Sequence, residues 1–299
     1  MGILMKLHTI DVKFVVPKVI ACFLIETASG PILIETGPDT TFENLKGELH
    51  KLDYSTSDIK HVFVTHIHLD HSGAAWHFAQ EGATVYVHPR GARHLAEPSR
   101  LMASARMIYK ERMDELWGRV EPIPEERIYA TTDGESVKIG GVEITAVETP
   151  GHASHHNAYI IEDHAFLGDV GGICIEDGPP LPPTPPPDIN VEAWQSSIKK
   201  LYDYNPGVLH PTHFAVINRG IREHFGDLEL RLLEYTSWIG ERLKEGKTEE
   251  DMLEDFDKLT REILDKAGVS ADVMRSYELA DPFWMNVGGL IRYWKKFRL

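Results

Sequence analysis

Four residues that bind metals well fall within six positions of this chain: His66, His68, Asp70 and His71, in the run Thr65-His-Ile-His-Leu-Asp-His-Ser-Gly73. Neutral imidazole and carboxylate are good ligands for zinc and other first-row metals. A single histidine near a strand end is an ordinary tolerated polar residue. Four donors in so short a stretch are not explained by packing, and they mark a metal site. Three more ligand-type residues stand at the exits of apolar runs: His152 in Thr149-Pro-Gly-His-Ala-Ser-His-His156, Asp169 closing Ala165-Phe-Leu-Gly-Asp169, and His213 in Leu209-His-Pro-Thr-His-Phe214.

Elements must bring these side chains to one place. Ile59–Val64 reads as a buried strand, and Gly73-Ala-Ala-Trp-His-Phe-Ala can start a helix, so the histidine cluster is expected in a strand-to-helix loop. Upstream, Val19–Ile25 and Pro31–Glu35 are apolar runs joined by the turn Thr27–Gly30, and Thr41–Leu52 has helical spacing. A strand at Thr84–His88 follows, and the alternation fits a layered α/β domain. Residues 89–120 read as a helical excursion, with Leu101, Met102, Ala105, Ile108, Tyr109, Met113, Leu116 and Trp117 at three- and four-residue steps. That face suits either core packing or an adaptable lid. Strands resume at 126–129, 136–139, 142–148, 156–161 and 164–167. Gly178–Asp188 holds seven prolines in eleven residues, too many for a central strand; a stiff loop near the site is preferred over a spacer or an SH3-type ligand. From Asp227 the pattern is helical, with a capping signature at Thr248–Asp251 and a last helix after Asp281-Pro282. The expected division is a catalytic domain over 1–224 and a helical appendage over 225–299.

The formal net charge of −15 repels polyanions, and no basic run compensates, so nucleic acid is not an expected partner. Two cysteines, Cys22 and Cys174, cannot build a disulfide framework and suit a reducing interior. No signal-peptide pattern opens the chain, and no run approaches the roughly 18 apolar residues of a membrane span. A cytoplasmic protein acting on a small molecule, away from membranes, is expected. Trp238, Trp284 and Trp294 suit either a homodimer contact or packing on the domain.

The ordered set of His-x-His-x-Asp-His at 66–71, Gly-His at 152, Gly-Asp at 169 and His at 213 resembles the metallo-β-lactamase-fold hydrolases. The resemblance runs over residues 20–215, with helices appended as in the glyoxalase-II-like branch. It implies a four-layer αββα sandwich holding two metal ions, zinc first and iron or manganese as alternatives. His66, His68 and His152 would hold one ion, Asp70, His71 and His213 the other, and Asp169 would bridge them. Seven ligands for two ions leave coordination room for a bridging water, whose pKa the cations lower towards neutrality to supply a metal-bound hydroxide. Asp70 can orient that water or accept its proton while remaining a ligand.

Glu35, in Leu33-Ile-Glu-Thr-Gly37, stands where the family usually has an aspartate supporting the site. Asp169 argues against true β-lactamases, and the acidic charge argues against the RNA-processing branch. The activity implied is hydrolysis of an acyl carbonyl compound, a thioester first and a lactone second. The alternatives are a mononuclear iron persulfide dioxygenase and a non-catalytic binding module, the latter disfavoured because every ligand position is filled. His155 and His156 are candidates for substrate contact or support. His61, His77, His88, His164 and His210 read as structural or exposed, Cys174 as a small buried residue, and Lys295, Lys296 and Arg298 as a solvated cluster.

Overall fold

Hydrophobic runs bounded by turn residues become the strands of a computed structural model that describes residues 5–214 and 216–299. The chain divides into two compact units, Met1–Glu148 with Asn157–Glu162, and Thr149–His156 with Asp163–Leu299. The helices after residue 220 therefore share a unit with 163–220.

The first unit holds a six-stranded sheet in sequence order: β1 (Lys6–Asp11), β2 (Ala21–Glu26), β3 (Ile32–Ile34), β4 (His61–Phe63), β5 (Thr84–Val87) and β6 (Ile128–Ala130). Pairing is antiparallel through β1, β2 and β3 and parallel from β3 to β6. Parallel strands are covered on both faces and read as unbroken apolar runs. Ile32, Leu33, Ile34, Val62, Phe63, Val85 and Val87 are accordingly buried. The parallel pairs need crossovers, which α1 (Phe42–Lys51), α2 (Leu69–Ser72) and α3 (Ala75–Gln80) supply, followed by α4 (Pro89–Ala96), α5 (Ser99–Tyr109) and α6 (Met113–Leu116). The excursion is anchored at its far end, where Met113, Leu116 and Trp117 are buried. On α5 only Ala105 is buried, and Met107 is 74% exposed.

A second, antiparallel ladder in the same unit joins β7 (Ser136–Ile139), β8 (Val142–Glu148) and β9 (Asn157–Ile161). It faces the first sheet across Tyr159, whose ring meets Phe63 edge-on at 5.2 Å and whose hydroxyl donates to the Val64 carbonyl at 2.9 Å. Asn157 N–H donates to the Thr65 carbonyl at 2.7 Å, so the sheets meet where the histidine cluster begins.

The second unit starts from a parallel pair, β10 (His164–Phe166) and β11 (Val208–His210), joined through α7 (Val191–Tyr204). Asn190 caps α7, its side chain accepting from Ala193 N–H at 3.0 Å, and left-handed Asn205 ends it. Then follow α8 (Ile221–Lys244), α9 (Glu250–Lys266), α10 (Ala271–Ala280) and α11 (Phe283–Phe297). The capping signature holds: Thr248 Oγ1 accepts from Asp251 N–H at 3.3 Å. Gly240 on α8 gives room to Trp294, whose indole donates to the Thr236 carbonyl at 2.7 Å. Trp238 packs under the Arg242 guanidinium, while Trp284 is exposed. No helix among the described residues is long and apolar enough to cross a membrane.

Candidate metal centre

In the first unit, β4 delivers the chain to Thr65 and His66. His66 and His68 lie in the loop, but the chain turns helical at Leu69, so Asp70 and His71 ride on α2 rather than in the loop. The cause is local: His71 and Ser72 N–H both donate to the His68 carbonyl, at 3.1 and 3.0 Å. The turn is pinned from the β3 side, where Thr36 N–H donates to the His71 carbonyl at 2.9 Å. A Cβ on Gly73 would overlap the Leu69 carbonyl oxygen and touch Pro38, which explains a glycine there.

Donor atoms converge in this half. His66 Nε2 lies 2.9 Å from His68 Nδ1, and His71 Nε2 lies 3.5 Å from Asp70 Oδ2. Metal-ligand atoms of His66 and His71 lie within 4.8 Å of one another. Glu35, fully buried, is the hub behind them. Its Oε1 accepts the Thr65 hydroxyl at 2.5 Å and His71 Nδ1–H at 3.1 Å. Thr65 Oγ1, its proton given to Glu35, accepts His66 Nδ1–H at 3.1 Å. One carboxylate thus reaches two imidazoles, His71 directly and His66 through the Thr65 hydroxyl.

In the second unit, Asp169 sits on a short 3-10 turn, Gly168–Gly171, after β10. Its two oxygens face different imidazoles: Oδ2 is 3.2 Å from His152 Nε2, and Oδ1 is 3.4 Å from His213 Nε2. His152 donates from Nδ1 to the Pro183 carbonyl at 2.9 Å, so the proline-rich stretch lies beside this residue as a stiff loop. Gly151, at φ +150°, lets α7 come close, since a Cβ there would overlap the Trp194 backbone. The Trp194 indole then stands edge-on to the His152 ring at 5.9 Å and donates to the Val170 carbonyl at 3.0 Å. The His213 carbonyl accepts from Cys174 N–H at 2.6 Å.

His156 meets the backbone of the Asp169 turn. Its Nε2 accepts Asp169 N–H at 3.1 Å and its Nδ1 pairs with Thr149 Oγ1 at 2.8 Å, so it braces the Asp169 turn. His155 is buried. Cys174 is buried with its thiol pushed up, chiefly by burial. Lys295, Lys296 and Arg298 are all exposed, and Arg298 pairs at the surface with Tyr293 and Glu192. His210, stacked on His164, is pushed down to about 3 by burial, and buried His224 to about 4. Asp281, also buried, is pushed up to about 7, first by burial and further by the charge of Asp169. Sequence reasoning did not single out Thr65, Pro183 or Asp281.

These residues fit metal ions. His66, His71 and His152 each spend Nδ1–H on an oxygen acceptor, which fixes the tautomer and turns Nε2 forward, as metal-ligating histidines require. The donor set of imidazole and carboxylate suits zinc and its neighbours.

Comparison with known proteins bears on the fold and the family. ST1585 of Sulfurisphaera tokodaii, a metallo-beta-lactamase fold-containing protein, is 25% identical over 196 residues, which are 64% of this chain and 71% of that protein. Its crystal structure superposes with a TM-score of 0.62 at 23% identity, covering 75% of this chain and 85% of that one. TTHA1429, a metallo-beta-lactamase family protein from Thermus thermophilus, matches with a TM-score of 0.70 at 20% identity, over 97% of this chain and 93% of that one. The likeness therefore includes the C-terminal helices, and it shows a metallo-β-lactamase fold with a helical C-terminal extension. The atrochrysone carboxyl ACP thioesterase of Aspergillus fumigatus is 26% identical over 205 residues, 65% of this chain but only 50% of that protein. This chain thus spans about half the length of that relative. The family model of the metallo-beta-lactamase superfamily matches residues 15–213, and the chain belongs to that superfamily.

Proposed function

We propose that this protein is a metal-dependent hydrolase that attacks the acyl carbonyl of a small molecule, a thioester first and a lactone second. In this reading His66, His68 and His152 would hold one ion, Asp70, His71 and His213 the other, and Asp169 would serve both. The observation that carries the reading is the Asp169 carboxylate, whose oxygens address His152 and His213 separately, as a group shared by two ions must. A thioesterase among the relatives supports the thioester as first choice, and zinc is the preferred metal for this donor set. The net charge of −15 favours a small-molecule substrate over a nucleic acid.

When bound, such ions polarise a carbonyl and draw the pKa of a shared water towards neutrality. The chain's own residues do the rest. Glu35 and Thr65 hold His71 and His66 in their ligand tautomers, and the Pro183 carbonyl does so for His152. His66 and His71 are fully buried, whereas Asp70 and His68 keep some exposure, so these two stand on the substrate side of the first half-site. A carboxylate oxygen of Asp70 is then the group to take the proton of the attacking water.

Metal content per chain, measured on protein purified without chelator, tests the proposal together with a panel of thioesters and lactones. Close to two zincs per chain and thioester turnover are expected, with turnover lost in His68→Ala while the fold is retained. About one iron per chain with little zinc, and oxygen consumption on a persulfide, would overturn it.

A further inference from the structure

In the second unit, the last helix reaches back to a candidate ligand. The residue after Pro183, Thr184, is wholly buried and gives both its N–H and its hydroxyl to Oδ1 of Asn286, at 2.6 and 2.8 Å. A backbone N–H can only donate, so the atom it meets is the amide oxygen, and the orientation of Asn286 follows. Its Nδ2 is thereby turned to Asp281, whose Oδ2 accepts at 2.6 Å. Three residues further along α11, a Cβ on Gly289 would overlap the Thr184 carbonyl oxygen, so helix backbone lies directly on loop backbone. Asn286 and Gly289, three apart, share one helix face.

The loop between helix and ligand is stiff. Prolines at 182, 183, 185, 186 and 187 fix φ on both sides of Thr184, so a shift of Thr184 reaches the Pro183 carbonyl instead of being absorbed. That carbonyl is the acceptor for His152 Nδ1–H, and His152 Nε2 faces Asp169. A buried amide joining a helix to a loop is ordinarily a packing device. Here both donors of Thr184 are spent one residue from the carbonyl that sets a ligand's tautomer and ring angle.

We infer that Asn286 is a positioning residue for the metal centre, acting through Thr184 and the Pro183 carbonyl to aim His152, so that the C-terminal helix is a working part of the site. The inference rests on the reading of His152 as a metal ligand. Loss of a partner behind a ligating histidine typically weakens metal binding about 10–100-fold. Because the Pro183 carbonyl would be displaced rather than deleted, about 10-fold is expected for Asn286→Ala.

Zinc affinity by competition with a chromophoric chelator, the visible spectrum of the cobalt-substituted protein, and the melting temperature would be measured on the full chain. Asn286→Ala should weaken one zinc equivalent about 10-fold and alter the cobalt spectrum. Thr184→Val, which keeps the N–H bond to Asn286, should do the same to a smaller degree. Tyr235→Phe loses a buried hydrogen bond to Thr260, 3.1 Å long and between α8 and α9. It should melt lower with zinc affinity and cobalt spectrum unchanged. Asn286→Ala and Thr184→Val that melt lower but bind zinc and cobalt as the parent does would refute the inference, and if Asn286→Ala does not fold, Thr184→Val decides by the same criterion. A parent protein that takes up neither metal would instead sink the metal-site reading itself, and the inference with it.

Discussion

Replacing Glu35 with glutamine tests the logic of the site most sharply, because it removes a charge while keeping the shape. Glu35 Oε1 accepts two protons, from Thr65 Oγ1 at 2.5 Å and from His71 Nδ1 at 3.1 Å, while Oε2 is 3.4 Å from Thr65 N. Glutamine can keep its carbonyl oxygen where Oε1 was, so both bonds survive as neutral ones. Charge-assisted bonds contribute about 1.5–3 kcal/mol and neutral ones about 0.5–1.5, so roughly 1 kcal/mol is lost at each. The side-chain NH2 then faces the Thr65 N–H, donor against donor. His71 also becomes a weaker base, since a neutral acceptor pulls less on its Nδ1 proton. The His71 bond accounts for about 1 kcal/mol against metal binding, or roughly fivefold, while the weakened Thr65 bond bears on the fold with or without metal. The loss should concentrate on one of two binding steps. His71 meets Glu35 directly, whereas His66 meets it only through Thr65, whose hydroxyl still has an acceptor. A chelator-competition titration at neutral pH reads both steps. Affinity within twofold of the parent at both would mean that Glu35 does not tune His71, and the account of the hub would fall.

Two further substitutions probe other parts of the same design. Gly151→Ala puts a Cβ into the Trp194 backbone at a φ of +150°, and should cost about 3 kcal/mol or more in urea unfolding; a loss under about 1 kcal/mol would show that α7 can move away from His152. His224, buried and held to about 4, stays neutral when folded and protonates below about 6.5 when unfolded, so its contribution is full above 6.5 and declines as pH falls towards 4. His224→Gln, which can still donate to the Gly171 carbonyl, removes that dependence. The stability gap between parent and variant should therefore shrink by about 2 kcal/mol between pH 7 and pH 5; a constant gap would show that this histidine titrates alike in both states.

The ligand-type residues could be read from the chain because metal chemistry restricts them to a few side chains, and because each follows an apolar strand: β4 before His66, β8 before His152, β10 before Asp169 and β11 before His213. The groups behind them were less legible, for a physical reason. The partner of His152 is a backbone carbonyl, which every residue possesses, so Pro183 carries no signal of that role. Asn286 lies 102 positions from Thr184, and only the fold brings the two together. Glu35 was visible as a departure from a family pattern, whereas Thr65, adjacent to the cluster and two residues past the end of β4, carries no signal until its hydroxyl is seen between Glu35 and His66. The helix α7 was open to reading, since Val191, Trp194, Ile198 and Leu201 recur at helical steps behind the Asn190 cap. The proline run just before it masks that signal. α10 offers little periodicity, because of its ten residues only Ser276 and Tyr277 are buried. The donors that face an ion must be of one chemical kind and so leave a trace in composition and spacing. The groups that aim them need only an acceptor at the right point, which tertiary structure supplies from anywhere in the chain.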